Sequence, residues 1–466
     1  MSTSWRSYRE KDSRGGGLPL HRRDIHDGPR ISRRTAAAPR TRHRPRSSPS
    51  PHIQEGQSSR RGFNPWKFLK INFRSASYVS CIVNVFWPVV PAAIAVRYAK
   101  SDVHLIIFIL SYIAMIPCAN MIGFAGQELA RKVPHVYGVL TEVTLGSVVE
   151  IVMFQVLLSR GEFVVIKAAI LGSILATLLL CMGIVFFVGG LRHEEQSFDE
   201  AISEAGSGLL LVAGLGLTVP TAFEHSLEGS ENVTTEELEA STLDISRFTA
   251  VLLLIAYGVF AFFQARTHHG IYDSIFRGDE HRNRDKVKDA FKEKLTLTEC
   301  IVALAISITL VTILAITLVD QIPYIVEDHG ISEPFMGLIL VPLVEKAAEH
   351  LTAVDEAWDN QMNFAMSHVL GATLQTAMFT GPLVVIVGWG LDKNMDLSFE
   401  VFEIVVLILS ILVMGNFLRD QKSNYLEGFL CVIVYIAIAV AAFYYPNPTG
   451  EGTAHVETDS SGGEHR

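Results

Sequence analysis

Long apolar runs separated by short polar connections recur along the chain from about residue 78 to residue 445. Crossing about 30 Å of hydrocarbon takes roughly 20 apolar helical residues. Eleven runs meet that length, at about 78–97, 103–125, 136–158, 163–190, 207–223, 247–265, 299–320, 333–354, 364–390, 401–418 and 426–445. The pattern predicts an all-α polytopic membrane protein of about 11 transmembrane helices. Residues 1–62, which precede the runs, are rich in Arg, Ser, Pro and Gly and nearly lack aliphatic residues, so they are read as a disordered tail.

Composition agrees: 49% of the 466 residues are hydrophobic and 19% charged, with a mean hydropathy of +0.31. A soluble enzyme is excluded by the spans, and no nucleophile–base arrangement or phosphate loop is seen. The five cysteines, Cys81, Cys118, Cys181, Cys300 and Cys431, are widely spaced and form no CxxC pair, which argues for packing roles. The formal charge of −9 hides an asymmetry, because residues 1–62 carry 15 Lys/Arg against 5 Asp/Glu. With that basic tail on the cytosolic side, the eight Lys/Arg of 266–294 are cytosolic too, while 224–246, with none, faces a lumen or the exterior. The latter stretch also holds the glycosylation sequon Asn232-Val233-Thr234.

Two stretches of the apolar pattern are interrupted by charge. The third span holds Glu142 and Glu150, and the eighth holds Glu345, Lys346, Glu349 and His350. Ionisable groups within a span are costly, so each is a functional candidate. Gly138 precedes Glu150 as Gly337 precedes Glu349, and Gly172-Ser173 follows the first as Gly371-Ala372 follows the second, all at an offset of 199. Two five-span halves at one offset indicate duplication, and an odd span number inverts the second half relative to the first. Inverted repeats bring equivalent elements together near the membrane midplane, so Glu150 and Glu349 are expected to converge. The resulting organisation is a tail (1–62), a first transmembrane helix and flanks (63–102), a five-helix repeat (103–265), a cytosolic link (266–298), an inverted repeat (299–445) and an acidic tail (446–466).

Two carboxylates in a low-dielectric site resist ionising together, which leaves protons or a compensating cation as alternative occupants. That exclusivity suits proton/cation antiport. Oxygen atoms of Thr141, Ser147, Thr177, Thr373 and Gln375 are candidates to complete a cation shell, with His350 beside them. Glu142, Glu345 and Lys346 are candidate modulators. At helical spacing Lys346 reaches either Glu345 or Glu349, and the mutual pair with Glu345 is the favoured expectation, because it limits the cost of burying both charges.

The motifs Gly146-x-x-x-Glu150, Leu171-Gly-Ser-Ile-Leu175, Val188-Gly-Gly-Leu-Arg192 with Gln196-x-Phe198, Ala347-Ala-Glu-His-Leu-Thr-Ala-Val354 and Asp420-x-Lys-Ser-Asn-Tyr-Leu-Glu-Gly428 resemble those of vacuolar-type calcium/proton exchangers of the cation/Ca²⁺ exchanger superfamily. The resemblance covers roughly residues 78–445. It implies eleven spans, an extra first helix, cation and proton binding at Glu150 and Glu349, and Ca²⁺ driven into an acidic organelle such as a vacuole. The family pattern Gly-Asn-x-x-Glu reads here Gly146-Ser147-x-x-Glu150 and Glu345-Lys346-x-x-Glu349, and two further family asparagines stand as Thr141 and Thr177. Alternatives that remain open are an exchanger for Na⁺, K⁺ or Mn²⁺ and a non-transporting paralogue blocked by Lys346. Membrane lipid, the transported cation and protons are the expected partners. No resident cofactor and no nucleic acid are expected, and homo-oligomerisation stays open.

Overall fold

A computed structural model describes residues 62–74, 78–100, 102–130, 132, 141, 144–230, 233–282 and 293–447. Glu142, Asn232 and most of both tails lie outside these residues. Among the described residues the regular structure is helical apart from a two-stranded antiparallel ribbon, in which Gln196 pairs with Ser423 and Ser197 with Lys422.

Among the described residues, nine helices are long and apolar enough to cross a membrane, from Ser80–Ala99 to Tyr425–Phe443. The two expected spans missing from that set, 136–158 and 333–354, are those that carry the charged motifs. They are interrupted helices, with Val148–Arg160 described from the first and Val341–Glu345 followed by Ala347–Trp358 making up the second. Gly161, at φ 83°, adopts the left-handed conformation that ends Val148–Arg160. The polar connection expected over 224–246 is much shorter in the fold. The preceding helix runs on to Leu227, and Thr234 opens the next with a reciprocal capping box to Glu237. Periodicity undercounted these helices because their ends protrude as polar turns beyond the apolar stretch.

The two halves are locked together by backbone contact. A Cβ on Gly172 would overlap the Leu338 carbonyl, and one on Gly337 would lie 2.5 Å from the Val165 carbonyl oxygen. Helix Phe163–Leu175 therefore crosses the Met336–Leu340 segment at a distance that only glycine permits. Large apolar side chains such as Val212, Leu215 and Val219, and Leu252, Ile255 and Val259, point outward at helical spacing, giving the apolar perimeter that hydrocarbon requires.

The link also packs onto the second half. Asp279, on helix His269–Arg282, accepts hydrogen bonds from the backbone N–H groups of Asn363 at 2.8 Å and Phe364 at 3.3 Å, and from Asn363 Nδ2 at 3.0 Å. A buried carboxylate thereby satisfies free N–H groups at the start of helix Met362–Gln375.

Candidate functional site

The site forms where two helices are broken at equivalent positions. Ser147 has φ −92° and ψ 4°, and Lys346 has φ −92° and ψ −3°. These residues are 199 positions apart, and the helices that follow carry Glu150 and Glu349 at their third residues. Each carboxylate thus sits in a helical first turn, where the positive end of the helix dipole favours negative charge. The segments opposite are also equivalent: helix Phe163–Leu175 passes into a π-helical turn at Ala176–Cys181, and helix Met362–Gln375 into one at Thr376–Thr380.

The fold brings the carboxylates together around a lysine. Lys346 Nζ lies 3.1 Å from Glu150 Oε2 and 3.6 Å from Glu349 Oε2. The Lys346 and Glu150 side chains are 2% and 1% exposed, whereas Glu349 retains 25%. Thr376 Oγ1 donates to Glu150 Oε1 at 2.8 Å. Lys346 therefore goes to Glu150 and Glu349 rather than to Glu345. Glu345 instead accepts from Ser173 Oγ at 3.3 Å, and its Oε1 is buried without a hydrogen-bond partner among the described residues. Helical spacing within one segment does not reveal a partner supplied by the opposite half.

The neutral candidates divide. Thr177 donates to the Ser173 carbonyl and Thr373 to the Val369 carbonyl, each at 2.7 Å, so each hydroxyl proton is committed to its own helix while the oxygen keeps its lone pairs. Ser147 Oγ and His350 Nε2 are buried with no hydrogen-bond partner among the described residues. Gln375 reaches the site, since a Cβ on Gly146 would lie 3.5 Å from Glu349 Oε1 and 4.0 Å from Gln375 Oε1. Thr141 is half-buried and does not line the cavity described next. Thr376 was not anticipated. The repeat contained the signal, because 177 plus the offset of 199 is 376.

A cavity of about 410 Å³ leads to this cluster. Its lining runs from His269 and Asp273 on the link helix to Glu345, Glu349 and Gln375 within the bundle. It therefore extends from the bundle interior to the link helix. Among the described residues no set of three His, Cys, Asp or Glu side chains is arranged to hold a metal ion. The chemistry available is that of a carboxylate cluster, a fixed ammonium and neutral oxygens at the end of a largely apolar passage.

The sodium/calcium exchanger protein family model matches residues 103–266 and 300–444. The chain belongs to that family. A vacuolar cation/proton exchanger 3 from Oryza sativa subsp. japonica is 31% identical over 407 residues, covering 85% of this chain and 95% of the relative. A Ca²⁺/H⁺ antiporter from Aphanothece halophytica is 34% identical, with 73% and 90% covered. A vacuolar calcium ion transporter from Schizosaccharomyces pombe is 32% identical, with 73% and 79% covered. Among solved structures, native YfkE superposes with a TM-score of 0.63 at 26% identity over 77% of this chain and 99% of that one. The H⁺/Ca²⁺ exchanger CAX, at 14% identity and a TM-score of 0.56, shares the fold over 78% and 92%.

Proposed function

We propose that this protein is a proton-coupled cation antiporter that exchanges Ca²⁺ for H⁺ and drives Ca²⁺ into an acidic organelle, the vacuole being the leading location. The observation that carries the reading is the meeting of Glu150 and Glu349, from opposite halves, around one buried centre at the end of a cavity that Glu345 and Glu349 line. Relatives named as Ca²⁺/H⁺ antiporters and vacuolar calcium transporters support the choice of ion and membrane. Lipid surrounds the apolar perimeter in this reading, and the cation and protons are the only substrates.

The exchange follows from electrostatics. Carboxylates crowded in a low-dielectric centre are stable when protonated or when a cation compensates them, and unstable when bare. Protons arriving from the acidic side displace the cation, and the cation arriving from the other side displaces protons. Oxygen ligands suit a hard divalent ion. The cavity lined by the link helix is the cytosolic entrance, and alternation of the two halves exposes the same centre to the lumen.

The locked-paralogue reading draws on the Lys346 ammonium lying between Glu150 and Glu349. Proteoliposomes with an acidic interior separate the readings. Uptake of ⁴⁵Ca²⁺ that collapses with the pH gradient is expected, with Mn²⁺, Na⁺ and K⁺ tested as competitors. No gradient-dependent uptake of any of these ions would favour the locked paralogue.

A further inference from the structure

We propose that the cation is held by Glu345 and Glu349, and that Lys346 withdraws Glu150 from cation binding by acting as its fixed counter-ion. The proposal rests on the antiport reading above and names the carboxylates that perform it.

Both oxygens of Glu150 are engaged, Oε2 by the Lys346 ammonium at 3.1 Å and Oε1 by the Thr376 hydroxyl at 2.8 Å. Neither Glu150 nor Lys346 lines the cavity, whereas Glu345 and Glu349 both do. Glu345 is only 4% exposed, and its Oε1 has no hydrogen-bond partner among the described residues although it is buried. Burying a polar atom without a partner is costly, and a cation entering the cavity would satisfy it. Among the described residues Glu349 Oε2 likewise accepts no hydrogen bond, and it lies 3.6 Å from the ammonium, the longer of the two distances.

Charge balance points the same way. Three ionised carboxylates and one ammonium leave two negative charges, the number a divalent cation compensates. If Lys346 neutralises Glu150, those two charges belong to the cavity-facing pair. Gln375, on the same cavity, offers a neutral oxygen. Glu345 thus takes the place that Glu150 would otherwise fill, and the replacement is coupled to the arrival of Lys346 beside it in sequence.

The test measures gradient-driven ⁴⁵Ca²⁺ uptake by the full chain in proteoliposomes, with monodisperse elution in detergent as the folding control. Glu345→Gln is expected to reduce uptake by at least about tenfold, as loss of a metal-supporting group does, while Glu345→Asp keeps uptake with a weaker Ca²⁺ dependence. Glu150→Gln should also fail, because the released ammonium takes a cavity-facing carboxylate. Adding Lys346→Met to Glu150→Gln should then recover uptake severalfold. Near-normal uptake by Glu345→Gln, or no recovery in the double variant, overturns the proposal while leaving antiport standing. If Glu345→Gln does not fold, the recovery experiment decides alone. Absence of uptake by the wild-type protein overturns the antiport reading and this proposal with it.

Discussion

Thr177 and Thr376 occupy equivalent places in the two halves, yet only Thr376 turns its hydroxyl onto a carboxylate. Thr376 Oγ1 donates to Glu150 Oε1 at 2.8 Å, whereas Thr177 Oγ1 donates to the Ser173 carbonyl at 2.7 Å. The duplicated scaffold has diverged at its centre: the second half supplies the lysine and the threonine that hold Glu150, and the first supplies Ser173 to Glu345.

That asymmetry predicts unequal mutants. Thr376→Val leaves a buried carboxylate oxygen without its donor and should cost about 1–3 kcal/mol. Thr177→Val removes a bond to a carbonyl already within its helix and should cost less than about 1 kcal/mol. Thermal unfolding in detergent measures the difference, and uptake should fall only for Thr376→Val. Equal losses would contradict the geometry.

The glycines give a second contrast. Gly172→Ala forces a methyl group into the Leu338 backbone, and overpacking of this kind costs about 1–3 kcal/mol. A Cβ at its repeat partner Gly371 meets nothing within 4 Å. Gly371→Ala should therefore be neutral or stabilise by up to about 1 kcal/mol through helix propensity. A lower yield and melting midpoint for Gly172→Ala alone is the expected result.

Orientation is tested by protease protection in sealed vesicles. An epitope placed within 266–294 should be cleaved from the cytosolic face, and one placed after Ser230 should be protected, as the Lys/Arg asymmetry requires. Cleavage of the second epitope from the cytosolic face would invert the topology.

The repeat was legible because the charged motifs and small residues recur at a constant offset, and a constant offset survives divergence at individual positions. The apolar runs likewise exposed the membrane-spanning character. What periodicity could not show was contact between the halves. Lys346 lies one turn from Glu349 and next to Glu345 in sequence, but its shortest ion pair is with Glu150, 196 residues away. Backbone breaks were equally hidden, since Ser147 and Lys346 have nothing in common as side chains, yet they adopt the same conformation. Thr376 was recoverable from the offset, because it stands where the first half has Thr177.

The most direct measurement of the central claim is proton release on addition of Ca²⁺ to acid-loaded proteoliposomes, followed with an internal pH-sensitive dye. Wild-type protein should release protons as Ca²⁺ enters, and Glu349→Gln, with one cavity-facing charge removed, should do neither while remaining folded. Ca²⁺ entry without proton release, or coupled exchange that persists in Glu349→Gln, would contradict the account.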